Sequence, residues 1–98
     1  MKRPYELTFI VRIESAGDEA INEQVGQVQE WVEADELGQV TKIDRWGRRR
    51  LAYEIDNQRE GYYVMMEANI DPEGLPEIER NLKLSTSILR YLVVRAED

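Results

Sequence analysis

Apolar side chains fall at every second position from Tyr5 through Leu7, Phe9 and Val11 to Ile13, then at every third or fourth through Ile21, Val25, Val28 and Val32. Period two marks a strand buried on one face, and a period near 3.6 marks an amphipathic helix. The switch then repeats. Tyr62, Val64, Met66, Ala68 and Ile70 alternate, and Leu75, Ile78 and Leu82 return to helical spacing. This succession of periods limits the chain to few folds.

Punctuation between the segments supports the reading. Ser15 followed three positions later by Asp18 supplies helix-start chemistry, the first stripe runs to about Asp35, and Gly38 suits a helix end. The stretch from about Gln39 to Ile55 reads as strand and would extend roughly 55 Å, which is long for a small domain. Its apolar phase also changes, from Val40 on even positions to Ile43 and the Leu51, Tyr53, Ile55 alternation on odd ones. A bulge is expected, and Trp46-Gly47 is the place for it. By the same parity Tyr53 and Tyr62 are expected to serve the core. Residues 56–61 read as the turn into the returning strand. Asp71-Pro72 gives an N-cap with proline behind it, and Pro76 either sits in the first turn of the second helix or delays its start. Ile88 to Arg95 is a final strand, apolar on both parities, so either face is a candidate for burial. The order β-α-β-β-α-β predicts an α+β, ferredoxin-like sandwich over residues 1–98 as one domain. Its four-stranded antiparallel sheet carries two helices on one face, and the second strand lies at an edge. Many unrelated functions use this fold, so the function must be read from the side chains.

Cysteine and histidine are both absent. That excludes disulfides, thiolate metal sites and histidine general bases. No segment has the apolar length of a membrane span, and no signal peptide precedes Tyr5. A cytoplasmic protein without membrane attachment is expected. Acid–base catalytic pairs and calcium-loop spacing are missing from the acidic stretches, so no catalytic residue, metal, cofactor or small-molecule substrate is predicted. Net charge is −7, but it is unevenly distributed. Residues 14–36 contain Glu14, Asp18, Glu19, Glu23, Glu30, Glu33, Asp35 and Glu36 with no Lys or Arg, whereas Lys42, Arg45, Arg48, Arg49 and Arg50 oppose only Asp44. Exposed charges are screened over about 8 Å in physiological salt, so a basic face can act locally on an acidic molecule.

The basic cluster has two readings. Charges on an edge strand deter sheet-to-sheet aggregation. Guanidinium groups also grip phosphate and carboxylate with a fixed fork, and the cluster contains no lysine between Arg45 and Arg50. Trp46 serves equally as packing at the bend or as a stacking platform for a base or partner chain. Lys2, Arg3, Arg90 and Arg95 are candidates for a second, phosphate-binding patch on neighbouring strands. An RNA-recognition motif would need a basic-Gly-aromatic run on the third strand, and Glu60-Gly61-Tyr62-Tyr63 fits it poorly. A phosphate pocket at the first strand–helix junction is opposed by Glu14, Asp18 and Glu19. A ligand-sensing module, working as a homodimer, is the alternative from another class.

One segment is distinctive. Asp44-Arg45-Trp46-Gly47-Arg48-Arg49-Arg50-Leu51-Ala52-Tyr53, with Gly61-Tyr62-Tyr63-Val64 on the returning strand, resembles bacterial small-subunit ribosomal protein number six. Lys2-Arg3-Pro4-Tyr5-Glu6 and Ile88 to Arg95 are similar to that family as well. Glu54 stands where the family usually has proline, Pro4 precedes Tyr5, and the longer acidic tail of some members does not follow Asp98. The resemblance implies a structural component of the small ribosomal subunit. It also implies binding to the central domain of 16S rRNA as a heterodimer with ribosomal protein number eighteen. Under it, Lys2, Arg3, Arg90 and Arg95 are expected on RNA, and Arg45, Trp46, Arg48, Arg49 and Arg50 on RNA or the partner protein.

Overall fold

The computed structural model describes residues 1–13 and 17–96. Strand β1 (Arg3–Arg12), helix α1 (Asp18–Glu33), strands β2 (Gly38–Ile55) and β3 (Gln58–Ile70), helix α2 (Leu75–Leu84) and strand β4 (Ile88–Arg95) follow in the expected order. They form one sheet in the order β2-β3-β1-β4, every pair antiparallel. The architecture is the α+β, ferredoxin-like sandwich.

The alternating residues of β1 and β3 make the core. Leu7, Phe9 and Val11 meet Val64, Met66 and Ala68, and the α1 stripe Ile21, Val25, Val28, Val32 packs on them beside Ile78 and Leu82 of α2. Full burial of each large apolar side chain contributes about 1.5–3 kcal/mol, and these residues lie at or below 2% exposure. The tertiary stripe, not helix capping, holds α1 in place. Gly17 at its N-cap offers no side chain, and the Ser15 start signature lies outside the described residues. Gly38 does not end α1 as expected. The helix stops at Glu33, a short 3-10 turn (Ala34–Glu36) follows, and Gly38 begins β2. A Cβ there would lie 2.2 Å from the Val32 carbonyl oxygen, so glycine permits the strand to pass close under the helix end.

Strand β2 changes phase more than once. Register breaks occur between Val40 and Lys42, between Arg45 and Gly47, and between Arg50 and Ile55. The first places Ile43 toward the core, and the second is the bulge expected at Trp46-Gly47, where Gly47 has φ +87°. The turn is shorter than expected. Asp56 and Asn57 both have positive φ, the two-residue arrangement whose twist suits a hairpin, and β3 starts at Gln58. The Asp71 carboxylate accepts the Glu73 amide at 3.0 Å and opens a 3-10 turn (Pro72–Gly74), which delays α2 until Leu75 and leaves Pro76 in its first turn.

The ambiguity of β4 resolves at Leu89. Val11 pairs with Ile88 but Ile10 pairs with Arg90, so Leu89 is an extra residue. Ile88, Tyr91 and Val93 then pack with the core, while Arg90, Leu92 and Val94 lie on the opposite, helix-free face. That face is not uniformly polar. Ile10 and Leu51 are buried outside the main core, and a Cβ on Gly61 would come within 2.2 Å of Ile10 Cγ2.

Candidate nucleic-acid and partner interface

The β2–β3 hairpin continues past the helices as a ribbon, and two contacts fold it over the bare face of the sheet. Arg12 of β1 pairs with Asp56 at the turn. Arg90 of β4 donates from Nη1 to the Tyr53 hydroxyl at 2.7 Å, with its guanidinium 5.7 Å from the ring centroid. Strands β2 and β4 are three spacings apart, about 14 Å, so residues of these two edges meet only if the ribbon bends across the face. Tyr53 therefore does not enter the core. It is 61% exposed, because the bulge at Trp46 moves the odd positions of β2 to the bare face and reverses the parity on which core burial was expected. Tyr62 is half-buried and packs against the core, whereas Tyr63 lines the bare face beside Ile10.

The ribbon divides the basic cluster. Arg45 stands opposite Val64 and Arg48 opposite Tyr62, both on the helix side. There Arg45 donates to the Asn22 side chain of α1, and Arg48 Nη2 lies 3.8 Å from Asp18 Oδ1. The Arg48–Asp18 pair is exposed, so it contributes little to stability. Arg49, opposite Gly61, takes the other face with its guanidinium 5.7 Å from the Trp46 ring centroid. Trp46 itself is 46% exposed and sits at the bulge, where its ring is free to meet a partner. Arg50 lies across from Glu60, and among the described residues no carboxylate forms an ion pair with Arg49 or Arg50.

The second candidate patch does not come together as one surface. Lys2 and Arg3 precede or begin β1, and Arg95 is opposite Tyr5 at that same end. Arg90 is opposite Ile10, seven residues along β1 from Arg3, or about 23 Å. Arg90 thus belongs with Arg49 at the ribbon end. Its hydrogen bond to the Tyr53 hydroxyl raises its pKa further above the usual arginine value, so it is a permanent cation. At the opposite end the Glu73 amide, followed by the terminal ammonium of Met1, holds the Asp71 carboxyl below its ordinary value. Among the described residues no group of acidic side chains is placed to hold a metal, and no helix is long and apolar enough to cross a membrane.

Tyr53 and the Leu92–Val94 pair are the contributors that periodicity missed. The pair's only signal was apolar residues on both parities of the last strand, which a doubly covered strand or an exposed apolar face produces equally, and Tyr53 carried the parity of a core residue.

Comparison with known proteins follows the same lines. The family described as Ribosomal protein S6 matches residues 4–95. The small ribosomal subunit protein bS6 of Moorella thermoacetica is 41% identical over 98 residues, which is 98% of this chain and 96% of that protein. The protein of the same name from Carboxydothermus hydrogenoformans is 40% identical over 100 residues, covering 99% of each. The crystal structure of 30S ribosomal protein S6 from Thermotoga maritima superposes with a TM-score of 0.87 at 29% identity, over 97% of this chain and 88% of that one.

Proposed function

Because the chain belongs to the ribosomal protein S6 family of the small ribosomal subunit, we propose that it acts there without catalysis, binding 16S rRNA as one half of a heterodimer with ribosomal protein number eighteen. The supporting observation is the Trp46–Arg49 pair. An exposed aromatic ring and a cation without a carboxylate stand together at a bulge on an edge strand. Aromatic and arginine side chains are the usual anchors of recognition surfaces, and an edge strand offers unpaired backbone beside them.

Net charge assigns the division of labour. At −7 the isolated chain lacks long-range attraction to phosphate, its 13 basic residues being outnumbered by 20 acids. The partner supplies most of the basic surface. This chain supplies shape, the Trp46–Arg49 anchor and local cations such as Lys2, Arg3 and Arg95. The site of action on this reading is the cytoplasmic ribosome.

Titration of a central-domain rRNA fragment tests the proposal. Alone the chain binds weakly and without sequence preference, and with an equimolar amount of ribosomal protein number eighteen the complex binds tightly. Tight, specific binding by the chain alone would contradict the heterodimer.

A further inference from the structure

Helices α1 and α2 leave a groove between them, on the side of the sheet opposite the bare face. Two hollows meet in it and share the walls Trp31 and Asn81. The smaller lies where α1 ends and α2 begins. It is a socket of about 80 Å³, lined by apolar Trp31, Leu37 and Ile78 together with acidic Asp35, Glu73 and Glu77. The larger is a trough of about 410 Å³ that runs toward the start of β4 and carries only uncharged side chains, among them Gln24, Gln27, Leu84 and Thr86.

Backbone contacts fix the socket. The Leu37 amide donates to the Ala34 carbonyl at 3.1 Å, and the Leu37 carbonyl accepts the Asp71 amide at 2.7 Å, which ties the end of α1 to the approach of α2. Asp35 and Glu36 both take left-handed backbone, φ 56° and 59°, a conformation that costs a non-glycine residue free energy. Among the described residues no cation pairs with Asp35 or Glu73, and the exposed Arg80 lies 3.8 Å from Glu77. Nor does any hydrogen bond among them engage the side-chain amides of Gln24, Gln27 or Asn81.

We infer that this groove seats an extended, lysine-bearing segment of another protein, with the lysine stem in the socket and the main chain along the trough. A cavity of about 150 Å³ takes up benzene. The socket is smaller, so it admits a slim unbranched chain and excludes an aromatic ring. Charge complementarity selects the head group. A lysine ammonium is a compact charge with three donors for three carboxylates, its stem packs on the indole, and the flat guanidinium fork is too wide. Phosphate is repelled. A polyamine would gain nothing from the uncharged trough, whereas peptide carbonyls accept hydrogen bonds from its free amides. Glu77 and Leu84 stand two turns apart on α2, about 10 Å. That is close to the rise of three residues of polyproline II chain, in which positions three apart share a side. A Lys-x-x-apolar segment thus sets its lysine at Glu77 and its apolar residue on Leu84, which is 67% exposed.

This site goes beyond the heterodimer proposed above and uses none of its residues. The test is a nuclear magnetic resonance titration of the labelled full chain with the capped hexapeptide Gly-Lys-Pro-Pro-Leu-Gly. Saturable shifts are expected at Trp31, Leu37 and Asn81, with none at Trp46. Norleucine in place of the peptide lysine weakens binding about tenfold. Asp35→Asn, which keeps a residue tolerant of left-handed backbone, and Glu73→Gln each weaken the lysine peptide several-fold and leave the norleucine peptide unchanged. Absence of saturable shifts overturns the inference, and so does equal binding of the norleucine peptide or of one with arginine at that position. An equal loss in Glu23→Gln, on the exposed face of α1, reduces the effect to diffuse attraction and overturns the socket. Spermidine that moves the same resonances at the peptide's concentration or below assigns the site to a polyamine and overturns the docking segment.

Discussion

Gly61 and Gly47 lie two register positions apart on neighbouring strands, and each excludes a side chain for a different reason. At Gly61 the obstacle is steric: Ile10 Cγ2 occupies the space of a Cβ at 2.2 Å, and a β-branched side chain on a strand has little χ1 freedom with which to yield. At Gly47 the space is open and the obstacle is backbone, φ +87°. Gly61→Ala should cost about 1–3 kcal/mol through forced repacking, and Gly47→Ala about 1–2 kcal/mol through a left-handed conformation, both read from urea unfolding midpoints. The sequence marks a strand glycine as special without telling these causes apart. Asp71 gives a pH signature at the same scale. Its folded pKa lies below the ordinary value of 3.8, chiefly through the Glu73 amide. A carboxylate depressed in the folded state adds stability that is complete above its unfolded pKa and disappears as pH falls through the folded one. The melting-temperature gap between the protein and Asp71→Ala should therefore hold steady at and above neutral pH, begin to narrow as pH falls toward the ordinary 3.8, and close once pH drops through the lower folded pKa.

At the scale of elements, the order and type of all six segments were legible because each carries its own apolar period. Boundaries and faces were less so. Two features hid the ribbon: the bulges at Thr41 and Trp46 reset parity, and a strand that leaves the sheet no longer has a buried face to advertise. Tyr53 was assigned to the core for that reason, and its bond to Arg90, 37 positions away, has no local signature. Likewise Leu89 shifts β4 by one position, so its exposed apolar residues appear in the sequence only as an unusually uniform run. The ribbon is fastened by the Arg12–Asp56 and Arg90–Tyr53 contacts and by Leu51 against Ile10 and Gly61. Tyr53→Ala removes one of these fastenings and leaves the core of β1, β3 and the helices untouched. Amide hydrogen exchange should accelerate several-fold at residues 51–59 and remain unchanged at Phe9, Val64 and Met66, whereas Tyr53→Phe, which keeps the ring under Arg90, falls between. Equal acceleration in ribbon and core would mean that the contact supports the whole fold.

For the whole molecule, the question is how an acidic chain works on RNA, and the answer lies in where its cations are not neutralised. Sequence alone joined Lys2, Arg3, Arg90 and Arg95 into one patch, since β1 and β4 are neighbours in this fold. Register separates them: antiparallel pairing sets Arg95 across from Tyr5 but Arg90 across from Ile10, at the far end of the strand. The two groups should therefore answer to different partners. Lys2 and Arg3 are exposed at the start of β1, and Arg3, opposite Ile70, takes the face of the sheet that Glu6 does not. Arg90 lines a concavity shared with Leu92 and Tyr63, with its guanidinium held by the Tyr53 hydroxyl. Each phosphate contact released lowers the slope of log affinity against log salt by about 0.9 for duplex and about 0.7 for single-stranded nucleic acid. Replacing Lys2 and Arg3 together by Ala in the heterodimer should thus flatten the slope for rRNA by about 1.4 to 1.8, with little change in affinity for the partner protein. Arg90→Ala should do the reverse, leaving the slope for rRNA unchanged and weakening the heterodimer. Filter-binding isotherms of the assembled complex across a salt series, set beside calorimetry of the heterodimer, separate the two. A slope that flattens equally in both variants would restore the single patch and place Arg90 on RNA.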